Sequence, residues 1–442
     1  MAMGATGIGQ LAVALALARR TWPRPFLSAS GGALTFSTCA SGGERGRIIF
    51  LGTPQVAALV LQELFQAAAV PGSNFEVAAV ISRPSGRQWL EQIRQQQQQP
   101  RLPNWSRHGP SAVEQLAKSR GLAGDRIFCP VSAKEADFLE AIRGLKPDLA
   151  VTAAYGGMLP QAFLDIPKYG TLNIHPSLLP KYRGPAPVTR ALQDGCSVSG
   201  VSLVFTVLQC DAGPVLEQQQ VRVDQDIQAP ELTEHMFRLG AQMLLRQLPG
   251  LLSEAVTVRD AVPQDAASAS YAPKVGKLEG LLDFRQSAQK CHDLVRAMAG
   301  WPGSRASLLV ENKTTGSLEP IEVRVLRTRV VPTSPLPSGH AALESATIST
   351  TPIPGSTVAP DNLPTLNNLS GQPPPGTRGQ VVYTSTGELL APCGDGNMLS
   401  ILEVARRRAG NTGGPFSSGP RSYLTAKEFI NGIGKRRLFV PA

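Results

Sequence analysis

The sequence predicts an α/β fold on a parallel sheet, followed by a smaller, mainly β domain. Three observations carry that expectation. The folded part opens with a strand, a helix and a strand, the crossover unit of a parallel sheet. Strand and helix patterns then alternate to about residue 207. Beyond Leu252 the patterns shrink to short strand-like runs, as in small β domains. The length of 442 residues agrees with more than one domain, because single cores stop growing at roughly 250–300 residues. A hydrophobic content of 42% can bury such cores, and a charged content of 17% argues against wholesale disorder.

The elements follow in order. Arg47-Ile-Ile-Phe-Leu-Gly52 is a short apolar run ending in glycine, a buried strand with a turn. Thr53 reads as an N-cap and Pro54 as the first residue of a helix that continues through 56–65. Phe75-Glu-Val-Ala-Ala-Val-Ile81 is the second strand. Residues 82–110 break the pattern with Arg83, Arg87, Arg94, Arg101 and Arg107 around the glutamine run 95–99, so a mobile basic loop is expected there. Helices over 111–120 and 133–144 alternate with strands over 126–130, 148–154, 171–175 and 201–207. A long amphipathic helix over 230–252 closes the first domain, 47–253, and a linker over 254–267 follows. The second domain, 268–442, holds a helix over 282–298 and strand-like runs at 321–331, 379–384, 388–391 and 399–404. Residues 331–376 are rich in Pro, Ser and Thr and nearly uncharged, which predicts a disordered insertion between strands.

The N-terminus reads as an address. Residues 1–43 contain no Asp or Glu, carry Arg19, Arg20 and Arg24, and hold the apolar run 11–17. An acid-poor stretch with arginines and hydroxyl residues is the composition of an organellar transit peptide, here 1–46, for a mitochondrion or a chloroplast. A secretory signal fits less well, because the arginines follow the apolar run instead of preceding it. The six cysteines show no CxxC and no repeated spacing, so neither a disulfide framework nor a zinc site is indicated. A net charge of +10 suits an acidic partner such as nucleic acid, and equally a basic targeting peptide. No membrane-spanning stretch follows the N-terminal region, and a monomer is expected.

Chemistry concentrates in Gly170-Thr-Leu-Asn-Ile-His-Pro-Ser-Leu-Leu-Pro-Lys-Tyr-Arg-Gly184. Asn173 and His175 alternate with Leu172 and Ile174, so both polar side chains leave one face of a strand that Pro176 ends. Ligands bind beyond the carboxyl ends of strands in open α/β sheets. Asn and His at a strand end can also merely satisfy turn groups, and Asp211 in Cys210-Asp211-Ala-Gly-Pro214 can be merely a turn-former. Together the three make an Asn/His/Asp constellation. Gly52-Thr-Pro54 offers no Gly-x-Gly-x-x-Gly cradle and no Walker lysine is present, which disfavours a dinucleotide.

Asn173-Ile-His-Pro-Ser-Leu-Leu-Pro180, Tyr182-Arg-Gly-Pro-Ala-Pro187 and Asp211-Ala-Gly-Pro214 closely resemble the 10-formyltetrahydrofolate-dependent formyltransferases, and among them the methionyl-tRNA formyltransferases. Phe50-Leu-Gly-Thr-Pro54, Ala154-Tyr-Gly-Gly-Met-Leu-Pro160, Tyr271-Ala-Pro-Lys-Val275 and Trp301-Pro302 extend the resemblance over about 47–330 and, more weakly, 377–442. It implies a doubly wound, mostly parallel, Rossmann-like catalytic domain and an OB-like barrel that helps hold tRNA. It puts Asn173, His175 and Asp211 in the catalytic positions. Ser177, Leu178, Leu179 and Pro180 fall on a folate contact, and Tyr155 and Gly156 on the folate-side loop. Arg87 falls on the loop that enters the acceptor end of tRNA. The approach to the carboxylate reads Gln209-Cys-Asp-Ala-Gly213 where the family has Gly-x-Asp-Thr-Gly.

The implied reaction moves a formyl group from 10-formyltetrahydrofolate to the α-amine of initiator methionyl-tRNA, for organellar translation initiation. Asn173 and a protonated His175 suit the developing charge on the formyl oxygen, and Asp211 suits orienting the ring. Histidine is the side chain that titrates near neutrality, at roughly 6.5 when unperturbed. No metal is required. His108, His235, His292 and His340 lack grouped ligands and are expected to be structural or on the surface; Cys210 is expected to be a small packing residue. Arg406, Arg407, Arg408, Lys435 and Arg436 are expected to meet tRNA phosphates, with Arg324, Arg327, Arg329, Lys427 and Arg437 adding charge. The catalytic residues all precede Pro214, so the folate pocket is expected to be complete without residues beyond about 268. The competing readings are a formyl-folate hydrolase, a formyltransferase for small amines, and a non-enzymatic folate- or RNA-binding protein on the same scaffold.

Overall fold

A computed structural model of the chain describes residues 45–83, 110–333, 377–385, 387–406 and 424–442. The expected transit peptide, nearly all of the basic loop with Arg87 and His108, and most of the expected insertion with His340 lie outside the described residues. Val331, taken above as the first residue of that insertion, instead ends a strand.

The first domain runs β1 (Gly46–Gly52), α1 (Gln55–Ala68), β2 (Phe75–Ile81), α2 (Ala112–Ser119), β3 (Ile127–Phe128), α3 (Ala136–Gly144), β4 (Leu149–Ala153), α4 (Gln161–Leu164), β5 (Thr171–His175), α5 (Pro187–Gln193), β6 (Val198–Phe205), β7 (Val215–Arg222) and α6 (Ala229–Leu252). The sheet order is β3-β2-β1-β4-β5-β6-β7. Pairing is parallel as far as β5 and antiparallel at β5–β6 and β6–β7. The sheet is covered on both faces because its central strands are apolar at successive positions. Ile48 and Phe50 share a core with Leu61 of α1 and Leu244 of α6, whereas Ile49 and Leu51 share one with Phe138 and Ile142 of α3 and Phe163 of α4. This is the Rossmann-like, doubly wound arrangement.

Strand order reverses between β1 and β4, and Gly52 pairs with Ala153 at their carboxyl ends. A crevice opens beyond such a switch point. Thr53 does not cap α1: Pro54 holds the N-cap position without a side-chain bond, and the Thr53 hydroxyl donates to the Tyr155 carbonyl at 3.0 Å instead. The hydroxyl thereby ties the loop after β1 to the loop after β4 across that crevice.

The second domain contains α7 (Ala288–Ala297), β8 (Ser304–Glu311), β9 (Leu318–Val331), β10 (Thr377–Tyr383), β11 (Leu389–Pro392), β12 (Met398–Arg406), β13 (Leu424–Thr425), α8 (Ala426–Gly432) and β14 (Leu438–Pro441). Among the described residues, six antiparallel strands run β11-β10-β14-β8-β9-β12, and the β11–β12 pairing closes them into an OB-like barrel. Leu308, Val323, Ile401 and Phe429 lie in its core. Closure removes the open sheet edges that would template association.

The segment between the domains is stitched to the first one. Val215 and Val262 exchange both backbone bonds at 2.8 Å. Ser270 N–H donates to the Pro180 carbonyl, Arg183 N–H to Ser270, and Ala272 N–H to Arg183 at 2.6 Å. On the far side, buried His292 of α7 donates from Nε2 to the Gln225 carbonyl at 2.9 Å and meets Thr328 Oγ1 through Nδ1 at 3.0 Å.

Candidate active site

A cavity of about 650 Å³ opens beyond the carboxyl ends of β4 and β5, and Asn173, His175 and Asp211 all line it. On β5, Leu172 and Ile174 enter the core, which leaves Asn173 and His175 to the other face. Thr152, next to last on β4, donates its hydroxyl to Asn173 Oδ1 at 2.8 Å. That bond fixes which way the amide points, and Nδ2 faces Asp211 Oδ1 at 3.5 Å. His175 is buried, and its Nε2 lies 3.0 Å from the Tyr182 carbonyl, which can only accept. The proton therefore sits on Nε2 in the neutral ring, and the Nδ1 lone pair faces Asp211 Oδ1 at 3.8 Å. One carboxylate oxygen thus faces both the amide and the imidazole. The other, Oδ2, accepts from the Gly184 N–H at 2.8 Å.

The backbone around the cavity is bent into unfavourable regions. Ala154, Tyr182 and Asp211 have φ of 46°, 59° and 49°, in the left-handed region that non-glycine residues seldom adopt. The loop that lifts Asp211 can close because of Gly213, where a Cβ would stand 1.8 Å from the Phe205 carbonyl oxygen.

Tyr155 and Gly156 line the cavity as well. Burial pushes the Tyr155 hydroxyl up to about 12, so it remains a neutral phenol near neutrality. The Gly156 carbonyl accepts from Arg83 Nη1 at 2.7 Å. Ser177, Leu178, Leu179 and Pro180, the expected folate contact, follow the site directly but are not among the residues that line this cavity. They form a turn whose polar groups are used inside the protein. Ser177 Oγ donates to the Lys181 carbonyl at 2.7 Å. Buried Ser202 Oγ donates to the Ser177 carbonyl at 2.6 Å and accepts from Leu179 N–H at 3.1 Å. Leu179 packs with Val204 and Val215. Cys210 is exposed beside Asp211, so it is not the packing residue expected; partial burial of the sulfur and the adjacent carboxylate push its thiol up to about 11, away from nucleophilic use.

Arg87, Arg407 and Arg408 lie outside the described residues, and Arg406 is the last residue of β12. Lys435 is exposed, and Arg436 donates from Nε to the Ile433 carbonyl at 2.8 Å. Much of the remaining positive charge of the barrel is paired. Arg327 meets Glu231 and Glu403, Arg329 meets Glu388, and Arg437 meets Glu311. The fixed positive face expected from the sequence is correspondingly smaller.

Several residues of the site escaped the sequence reading. Thr152 had a signal, a hydroxyl in the otherwise apolar Leu149–Ala153 strand. Tyr182 and Gly184 contribute backbone groups, which carry no residue-type signal. Tyr271, from beyond residue 268, lines the cavity and is exposed. The expectation that the pocket is complete without that region is therefore corrected. Tyr271 also lines a second, more polar groove of about 860 Å³ with Lys181, Arg190 and Lys274. Arg190 there is paired with Glu279, while no ion pair to Lys181 or Lys274 occurs among the described residues. Among the same residues, no group of three or more His, Cys, Asp or Glu is arranged to hold a metal ion, and no helix is long and apolar enough to cross a membrane.

The chain matches two family descriptions, "Formyl transferase" over residues 46–248 and "Formyl transferase, C-terminal domain" over residues 274–411. It is 30% identical over 266 residues to a Staphylococcus epidermidis protein named methionyl-tRNA formyltransferase, covering 60% of this chain and 77% of that one. An Acidithiobacillus ferrooxidans protein of the same name is 38% identical over 254 residues, covering 58% and 73%. Among solved structures, HypX from Aquifex aeolicus in complex with tetrahydrofolic acid is 16% identical with a TM-score of 0.47, covering 88% of this chain and 47% of that one.

Proposed function

We propose that this chain, which belongs to the formyl transferase family, moves a formyl group from 10-formyltetrahydrofolate to the α-amine of methionyl-tRNA. The observation that carries the reading is the convergence of Asn173, His175 and Asp211 on one cavity. The cavity's apolar walls, among them Val56, Leu159 and Phe237, suit a flat heterocycle.

In this scheme a bond forms between the amine nitrogen and the formyl carbon while the bond from that carbon to N10 breaks. One proton leaves the amine and one reaches N10. Asn173 Nδ2, turned by Thr152, donates to the formyl oxygen as negative charge builds there. His175 offers Nδ1, the ring atom free of the Tyr182 carbonyl, to take the amine proton and pass it on. Asp211 faces that atom and stabilises the imidazolium that forms. No step in this scheme calls for a metal ion.

Two facts favour tRNA over a small amine or water as acceptor. The sequence relatives above carry the name methionyl-tRNA formyltransferase. The polar groove bearing Lys181 and Lys274 shares Tyr271 with the cavity, which gives a phosphate-bearing acceptor a path to the site. Lys435, Arg436 and the arginines at 87 and 406–408 belong to the same reading as further phosphate contacts. The acid-free residues 1–43 support an organellar destination, testable by fusing residues 1–46 to a fluorescent protein. The function is tested by incubating the purified protein with 10-formyltetrahydrofolate and charged initiator tRNA. Formylmethionyl-tRNA is expected; release of formate to water alone, or equal formylation of free methionine, would replace this reading with the hydrolase or small-amine reading.

A further inference from the structure

Gln264 lies in the segment expected to be a plain linker, yet its carboxamide is fully used. Nε2 donates to the Asp211 carbonyl at 2.8 Å and to the Gly213 carbonyl at 2.7 Å. Oε1 accepts from Arg183 Nε at 3.0 Å and Nη2 at 2.8 Å. Two donors and two lone pairs are all that a carboxamide offers. The partners are the two strands of loop that hold Asp211. One is the backbone of Asp211 itself, at φ 49°. The other is Arg183, next to Gly184, whose N–H holds Asp211 Oδ2 at 2.8 Å.

We infer that Gln264 is a positioning residue, a clamp from the interdomain segment that sets the Asp211 carboxylate against His175 and Asn173. The inference rests on the proposed role of Asp211. A left-handed aspartate persists only while its surroundings over-determine it. The contacts from Asp211 Oδ1 to Asn173 at 3.5 Å and to His175 at 3.8 Å are long, so they provide little restraint of their own. The short contacts at 2.7–2.8 Å from Gln264 and Gly184 supply it. Displacements of about 1 Å at such a centre cost on the order of 10²-fold in rate. Because the clamp comes from the segment leading to the barrel, the join between domains also bears on the active site.

The test is a cycle of four full-length proteins: wild type, Gln264→Leu, Asp211→Asn and the double variant, each assayed for kcat, donor KM and melting temperature. Gln264→Leu is expected to lose about 10²-fold in kcat with donor KM little changed. In the Asp211→Asn background the same change is expected to cost almost nothing more, because both act through one carboxylate. Gln264→Glu keeps the acceptor for Arg183 and removes both donors to the loop, so it repeats the test if the leucine variant does not fold. Wild-type kcat in a folded Gln264 variant beside an inactive Asp211→Asn overturns the clamp alone. Losses that simply multiply also overturn it. A wild-type rate in Asp211→Asn overturns the assigned role of Asp211, and the clamp with it.

Discussion

Residues 173–175 and 177–180 stand in one short run of chain, but they spend their polar groups in opposite directions. Asn173 and His175 keep Nδ2 and Nδ1 turned toward Asp211 and the cavity. Ser177 and Leu179 give theirs to the Lys181 carbonyl and to Ser202. A group already satisfied inside the fold has little left for a ligand, whereas a group held by one partner and open on the other side is poised for one. Counting where each donor and acceptor goes thus separates the polar groups of this motif that are open to a ligand from those already used inside the fold.

The sharpest way to break this division is at Asn173. Asn173→Ala removes the cavity-facing donor and leaves the core residues Leu172 and Ile174 untouched. The transfer rate is expected to fall by about 10²–10³, with stability lowered by only about 1 kcal/mol because the buried Thr152 hydroxyl loses its 2.8 Å acceptor. A stability loss well beyond that with an unchanged rate per folded molecule would move Asn173 to the scaffold side. Ser202→Ala probes the other half. It leaves the Leu179 N–H and the Ser177 carbonyl without their buried partner, and Gln218 Nε2 loses a contact at 2.9 Å. Stability is expected to drop by about 1–3 kcal/mol in denaturant titrations, with kcat per folded molecule unchanged. A rate loss without a stability loss would put the turn back in the site.

The smallest effect is expected outside both segments, at a bonded but exposed pair. Arg285 hydrogen-bonds to Asp283 and holds its carboxyl at about 2, below the ordinary 3.8. A depressed carboxyl contributes stability that is fully present above 3.8 and lost as pH falls through about 2. Asp283 is more than a third exposed, so solvent screens most of that contribution. Asp283→Asn is expected to change the melting temperature only slightly at neutral pH, and to differ less still from wild type near pH 2. A large difference at neutral pH would mean that bonding, not burial, governs these energies.

The same accounting explains what the sequence could reveal. The apolar central strands and the period-2 alternation at Asn173 and His175 were legible because burial and strand geometry write directly into residue type. β7 was not, because Glu217 to Gln220 make an edge strand that reads like a loop and is specified by its pairing with β6. β8 alternates correctly, but Ser304 and Ala306 at its buried positions are too small to show it. The short β14 and α8 gain their order from the barrel core, through residues such as Leu438, Val440 and Phe429. The trio proposed as catalytic, Asn173, His175 and Asp211, was within reach of pattern and resemblance. Its supports were not, because Tyr182 and Gly184 act through backbone atoms and Gln264 sits in a polar stretch with no periodicity.

The division within this run is tested most directly by comparing His175→Ala with Ser177→Ala in formyl transfer from 10-formyltetrahydrofolate to methionyl-tRNA. Both substrates are saturating, and the amount of folded protein is matched by near-ultraviolet circular dichroism. His175→Ala is expected to lose at least about 10²-fold in single-turnover rate, while Ser177→Ala keeps the wild-type rate per folded molecule. Equal losses in the two variants, or a wild-type rate in His175→Ala, would contradict the account.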